Sequence, residues 1–334
     1  MPSLRARLTN ALLRLTTKPV WKPGLDIATV RRHAARADAR YGRRAPPVAT
    51  EHVDIAGVPA TWIGDAALAE RKGTLLYLHG GAWCVHLPAT YRRFAAALSR
   101  ATGMRVLLVD YRLAPEHRHP AASDDCLAVY RALTERNDGR PIVIAGDSAG
   151  GNLTLVTLMR AREAGLPQPA CAVVLSPATD LMLTGPSIRY NAIADPMFSP
   201  AAGTLLPDLY CPGDARSHPW ISPLFGNWYG LPPLHFIAGS TEMLLDDSVR
   251  AHDRALQAGN EASIDVWPDL PHVFPIFDWL PEARSAMGTI AAFIDDRVSR
   301  RNTPAGPAAI EVLRDAGVLV SPALDLETAR RSGL

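Results

Sequence analysis

The stretch Pro141-Ile142-Val143-Ile144-Ala145-Gly146-Asp147-Ser148-Ala149-Gly150-Gly151-Asn152 decides how the chain is read. It opens with an apolar run rich in β-branched residues, which reads as a buried strand of a parallel sheet. It leads into Leu153 to Arg160, long and apolar enough for a buried helix. Between them lies Gly146-Asp147-Ser148-Ala149-Gly150, a G-x-S-x-G turn. A turn this tight forces the serine into strained backbone geometry and needs small flanking residues, so that strand and helix can approach. The hydroxyl then stands clear of the sheet at a helix N-terminus, where developing negative charge is favoured. A G-x-S-x-G alone also describes an ordinary Gly-rich turn. The rest of the chain must therefore supply a base, an acid and backbone donors in the right order.

On either side the same rhythm continues. Upstream, Val53 to Ile63 reads as a β-hairpin turning at Ala56-Gly57, and Thr74 to Leu78 as an apolar strand ending in His79-Gly80-Gly81-Ala82-Trp83. A helix is expected over Tyr91–Ala101, a strand over Arg105–Val109 and a helix over Asp124–Leu133. Downstream come strands at Cys171–Leu175, Leu234–Ala238 and Ser263–Trp267, with helices at Leu244–Ala258 and Glu282–Arg297. Strands alternating with helices predict an α/β fold with a mostly parallel sheet covered on both faces. The Pro-rich segment from Ser176 to Pro233 is too long for an ordinary connection and reads as an inserted cap, over about 177–233.

Three regions follow: N-terminal helices over 1–45 that contribute to the cap, a main domain over 50–300, and a tail over 301–334 with two weak helical patches (308–315 and 324–331) and no assigned role. Residues 3–16 place Leu4, Leu8, Ala11, Leu12 and Leu15 on one helical face, with basic residues opposite. Packing on the domain surface is the expectation, and membrane docking the alternative.

Composition bounds the function. Of 334 residues, 48% are hydrophobic, enough for a large core, and a net charge of +2 gives a nucleic-acid partner no electrostatic support. No apolar run is long enough to span a bilayer, so stable membrane insertion is not expected. Cys84, Cys126, Cys171 and Cys211 are scattered without a C-x-x-C pair, which argues against a metal site or disulfide framework and for a reducing, cytoplasmic location.

A serine in this strand-turn-helix context calls for partners in the order Ser, acid, His. Only His252 and His272 follow a candidate acid. His252 falls inside a helix, whereas His272 lies in a loop after the last strand, at the sheet edge where ligands bind. The acid belongs after the strand ending at Ala238. Glu242 stands nearest, and Asp246 is its rival in the first turn of the next helix, where acids are common for dipole reasons. Gly80, Gly81 and Ala149 are the candidate backbone donors of an oxyanion hole. Trp83, Phe198, Trp220 and Phe225 are candidate pocket walls, and Asp147 and Arg112 candidate loop braces.

The motifs His79-Gly80-Gly81-Ala82-Trp83, Asp110-Tyr111-Arg112-Leu113-Ala114-Pro115-Glu116, Gly146-Asp147-Ser148-Ala149-Gly150-Gly151, Glu242 to Asp247 and His272-Val273-Phe274 run from about residue 75 to 277. In combination they resemble the hormone-sensitive-lipase-like family of α/β-hydrolases, the bacterial family IV or GDXG lipolytic enzymes. The resemblance implies an eight-stranded sheet under a helical cap and hydrolysis of a small-molecule carboxylic ester without a cofactor, metal or nucleic acid. A homodimer is left open. Two departures stand out: Ala82 replaces the third glycine of the usual H-G-G-G, and Glu242 stands where Asp is more usual. A lactone hydrolase, an amide deacylase and a non-catalytic binding protein of the same fold are the alternative readings.

Overall fold

Every residue of the central strand Ile142–Asp147 is buried. Its β-branched side chains have no solvent face, so they require a layer of helices on each side. The computed structural model describes residues 1–21, 24, 26–42, 48–136 and 139–302. Two helices, α1 (Leu4–Thr16) and α2 (Ile27–Gly42), precede the strands β1 (Thr50–Ile55) and β2 (Val58–Ile63). There follow α3 (Ala66–Lys72), β3 (Thr74–Leu78), α4 (Pro88–Thr102), β4 (Arg105–Val109), α5 (Ala121–Glu135), β5 (Ile142–Asp147), α6 (Ala149–Glu163) and β6 (Cys171–Leu175). Then come α7 (Ser187–Tyr190), α8 (Pro200–Tyr210), β7 (Leu234–Gly239), α9 (Leu245–Gln257), β8 (Ala262–Trp267) and α10 (Pro281–Asn302).

The strands form one eight-stranded sheet in the order β1-β2-β4-β3-β5-β6-β7-β8. β2 runs antiparallel to both its neighbours and every other pairing is parallel. Alternating side chains divide the core in two. Leu76, Leu78, Ile144 and Val174 face α5, α6 and α9, while Leu75, Tyr77, Val143 and Val173 face α4 and α10. α6 is buried along nearly its whole length, which explains why its sequence lacks a polar face. Because the strands are mostly parallel, the loops after β3, β5, β6, β7 and β8 collect at one edge. The segment between β6 and β7 carries α7, α8 and short 3₁₀ turns.

Two readings need adjustment, and a third falls outside the described residues. The helix α3 is absent from the sequence reading, because its seven residues are too few for a periodic apolar pattern. Its start is marked only by the Asp65 cap, which accepts the Ala67 N–H at 2.8 Å. The leucine face of α1 does not pack on the domain. The face turned inward is Ala6, Thr9 and Asn10, and Leu4, Leu8, Leu12 and Leu15 are 58–78% exposed. Polar contacts hold the helix in this orientation: Ser3 donates to Glu282, Asn10 to the Asp269 carbonyl, and Trp279 Nε1 to Thr9 Oγ1. The weak helical patches at 308–315 and 324–331 lie outside the described residues. Residues 1–298 form one compact unit, and α10 continues past its end to Asn302.

The strand–helix crossing at β5 and α6 sets a steric limit. A Cβ on Gly150 would collide with the Leu78 and His79 carbonyl oxygens. Backbone cannot yield as a side chain can, so Gly150→Ala is expected to destabilise the fold by about 3 kcal/mol or more. Equilibrium urea unfolding checks this, with Gly288→Ala in α10, whose Cβ position meets nothing within 4 Å and whose φ is not positive, as the steric control.

Candidate active site

Ser148 sits between β5 and α6 with φ 53° and ψ −118°. For a residue with a Cβ this conformation costs on the order of 1–3 kcal/mol. Hydrogen bonds on both sides hold it: the Ser148 N–H donates to the Leu175 carbonyl (2.8 Å), and its carbonyl accepts from Asn152 (3.0 Å) and Ala178 (3.2 Å). Ser148 is half-buried, and Ala149 behind it begins α6. Asn152, one turn further on, donates its side-chain amide to the Ala178 and Ile221 carbonyls (2.7 and 2.8 Å) and so ties the helix start to the insertion.

The histidine and the acid are brought together. His272 Nδ1 lies 2.8 Å from Glu242 Oε2, and both side chains are buried. Nδ1 therefore carries the proton that faces the carboxylate. Nε2 is buried and has no hydrogen-bond partner among the described residues. Glu242 is itself held by the Ser176 hydroxyl (2.8 Å) and the Gly239 N–H on Oε1. Ser176 Oγ also accepts the Val273 N–H at 3.1 Å. The end of β6 thus bridges the two halves of the site: Leu175 receives the N–H of Ser148, and Ser176 receives that of the residue after His272. Asp246 is committed elsewhere. It accepts the Ser187 N–H (2.7 Å) and the Tyr190 hydroxyl (3.1 Å) and anchors α7.

The loop after β3 is organised by Asp147. Its Oδ1 accepts the Tyr77 hydroxyl (2.7 Å) and the Gly80 N–H (2.9 Å), and its Oδ2 the Tyr91 hydroxyl (2.9 Å). Gly80 therefore departs from its expected role, because its N–H is already given to a carboxylate. The Gly81, Ala82 and Ala149 N–H groups have no backbone or side-chain acceptor among the described residues. Ala82 and Trp83 adopt φ 54° and 57°, the left-handed region that a glycine would enter without strain. His79 stacks on Tyr111 (4.3 Å) and its Nδ1 lies 2.6 Å from the Gly80 carbonyl. Burial lowers its pKa to about 4, so the ring is neutral at neutral pH. Arg112 pairs with Asp125 at 2.7 Å and braces the next loop.

The four candidate wall residues separate. Phe198 meets the His272 ring edge-on at 5.0 Å and packs on Trp21 at 5.5 Å. Trp83 is buried and stacks on Tyr210 at 4.4 Å, so it fixes the end of α8 to the β3 loop. The Trp220 side chain packs against Arg160 and Glu163 in the last turn of α6, about 17–21 Å along that helix from Ala149, and Phe225 is exposed. Neither of these two walls the site. Among the described residues, His79, His86 and Asp110 have metal-ligand chemistry, with ligand atoms within 4.8 Å of one another. His86 Nε2 and Asp110 already pair at 3.1 Å.

Charge around His272 sets its titration. Burial opposes protonation, but the Glu242 hydrogen bond and charge, joined by Asp195 and Asp147, outweigh it and raise the pKa above 6.5. The neutral ring, the form able to accept a proton, therefore dominates only above that raised value. NMR titration of His272 is expected to give a midpoint above 6.5, and Glu242→Gln is expected to lower it by removing the largest favourable contribution.

Comparison with known proteins places this arrangement. A family model for the alpha/beta hydrolase fold matches residues 75–276. An acetyl-hydrolase of Streptomyces hygroscopicus is 37% identical over 262 residues, covering 78% of this chain and 86% of that protein. An esterase of Acinetobacter venetianus is 36% identical over 255 residues, covering 74% and 82%. The crystal structure of an esterase from the bacterial hormone-sensitive lipase family superposes with a TM-score of 0.82 at 35% identity, covering 89% of this chain and 99% of that one. With its sheet order, its strained serine between β5 and α6 and its matching length, the chain belongs to the hormone-sensitive-lipase-like family of α/β-hydrolases and is a carboxylic ester hydrolase.

Proposed function

We infer that Ser148, Glu242 and His272 form the catalytic triad, and that the substrates are short- to medium-chain carboxylic esters. One observation carries the assignment: a buried Glu242–His272 pair that leaves Nε2 without a partner, at the sheet edge where Ser148 is held by its backbone. In the reaction His272 Nε2 takes the proton from Ser148 Oγ as the oxygen bonds to the ester carbonyl carbon. Glu242 holds the imidazole in the Nδ1–H tautomer and stabilises its charged form. The N–H groups of Gly81 and Ala149, with Ala82 beside them, receive the oxyanion. As the C–O bond to the leaving alcohol breaks, His272 returns the proton to it. Water, deprotonated by the same nitrogen, then bonds to the acyl carbon; the bond to Ser148 Oγ breaks, the acid leaves, and His272 returns the proton to Ser148.

Two features support a short acyl group. Phe198 and Trp21 crowd the His272 side of the site, and the Streptomyces relative is described as an acetyl-hydrolase. A reducing cytoplasmic compartment is part of the same reading, supported by four free, buried cysteines.

A p-nitrophenyl ester series run on the wild type and Ser148→Ala tests the assignment. Turnover is expected to be greatest for short acyl chains and to fall by about 10⁴-fold or more in the variant, with the fold retained by circular dichroism. Retained turnover would remove Ser148 from the mechanism. A second comparison separates the two acids. Glu242→Gln is expected to lower kcat by about 10³- to 10⁴-fold through loss of the correct tautomer, and Asp246→Asn by less than about tenfold. The reverse order would make Asp246 the triad member.

A further inference from the structure

The orientation of α1 is the reverse of what a helix packed on a water-soluble domain requires. Its buried residues are small or polar, with Leu13 half-buried beside them, and its other four leucines point to solvent. Successive helical residues are about 100° apart, so Leu4, Leu8, Ala11, Leu12 and Leu15 share an arc of about 100°. Arg5 borders one edge of this stripe and Arg7 and Arg14 the other, and all three are exposed. Residues 1–21 carry four basic side chains and no acidic one. Arg14 reaches the Ala194 carbonyl and Lys18 the carbonyls of Ala192, Ile193 and Asp195, so the helix is fixed to the loop after α7. That loop presents Ile193, 91% exposed, next to the stripe.

We propose that α1 docks the protein reversibly on an anionic lipid surface, with the leucine stripe buried among acyl chains and Arg5, Arg7 and Arg14 at the headgroups. The apolar face supplies burial and the flanking arginines supply attraction to negative charge, the two contributions that hold an interfacial helix. The charge pattern selects this occupant over a second copy of the chain. Pairing two such faces sets arginine rows against each other with no carboxylate of residues 1–21 to offset them. The helix lies along the surface, and among the described residues no helix is long and apolar enough to cross a membrane.

The position of α1 gives docking a consequence. The segment that follows it ends at Trp21, whose carbonyl accepts the Ser199 hydroxyl (2.8 Å) and whose ring packs on Phe198, the residue against His272. A lipid-bound α1 therefore sets the wall of the site against the phase into which apolar esters partition. Docking itself does not rest on the hydrolytic reading, since Ser148→Ala is expected to bind vesicles as the wild type does.

The test is vesicle flotation of the full chain at low salt. Equimolar phosphatidylglycerol and phosphatidylcholine vesicles are compared with phosphatidylcholine alone. The wild type is expected to float with the anionic vesicles and to be released by high salt. Leu8→Gln/Leu12→Gln and, separately, Arg5→Gln/Arg7→Gln are expected to weaken binding by about tenfold or more, because each removes one of the two contributions. Both pairs lie outside the site, Arg5 bonding the Trp279 carbonyl at 3.1 Å, so hydrolysis of p-nitrophenyl acetate in solution should change less than about twofold. Equal flotation of wild type and both double variants, or no flotation of the wild type, would overturn the proposal. So would a dimer that the leucine substitutions convert to monomer by light scattering, which would assign the stripe to a second copy.

Discussion

The Asp147 carboxylate is the contact on which the site depends. It is buried, and burial raises its pKa, while the Tyr77 and Tyr91 hydroxyls and the Gly80 N–H oppose that rise by donating to it. It immediately precedes Ser148, and Gly80 immediately precedes Gly81. One side chain therefore ties the Ser148 turn to the loop that carries Gly81 and Ala82, the donors proposed for the oxyanion. A buried acceptor left without these donors would be expensive, and a buried carboxylate more so. The β3 loop, the β5 turn and the N-terminal turn of α4 carrying Tyr91 are thus joined through one carboxylate.

Backbone strain is distributed in the same way. Of the eight non-glycine described residues with positive φ, seven lie in the loops that follow β3, β5, β6 and β8: Ala82, Trp83, Ser148, Ser176, Leu183, Asp269 and Val273. Such conformations persist only where the surroundings over-determine them. Here hydrogen bonds do so. Ser176 is held through the Ile237 carbonyl and Glu242, and its hydroxyl in turn receives the Val273 N–H. The sheet and its two apolar cores provide the stability that carries this strain. A site on mobile loops would relax it and lose the alignment of His272 with Glu242.

Polar contacts tie the insertion to that edge. Asn152 fastens the start of α6 to Ala178 and Ile221, Asp246 fastens α9 to α7, and Asp195 takes the Met243 N–H (2.8 Å) next to Glu242. Asp247 accepts the Thr179 and Asp180 N–H groups (2.6 and 2.9 Å) at full burial, which raises its pKa to about 7. Such polar ties let a cap of little regular structure hold a single position. Polar contacts of the same kind hold α1, where Ser3, Thr9 and Asn10 face inward and Leu4, Leu8, Leu12 and Leu15 are left outside.

The sequence by itself determined the alternation of strands and helices, the G-x-S-x-G turn between β5 and α6, the position of the insertion and the candidates Ser148, Glu242 and His272. These are legible because a buried strand and an inserted segment leave local patterns in composition, and because chain order in this fold constrains the acid and the histidine. Tertiary structure alone decided what depends on partners distant in sequence. It gave Glu242 to His272 and Asp246 to α7, two acids that sequence position left as rivals. It spent the Gly80 N–H on Asp147 and moved Trp220 and Phe225 away from the site. It also revealed Ser176, an unremarked serine in the sequence, as the bridge between the two halves. The leucine stripe of α1 was visible as a pattern, but its direction was not. Periodicity shows that a helix has an apolar face, whereas which face meets the domain is set by the polar partners at Asp269, Trp279 and Glu282, more than 250 residues away.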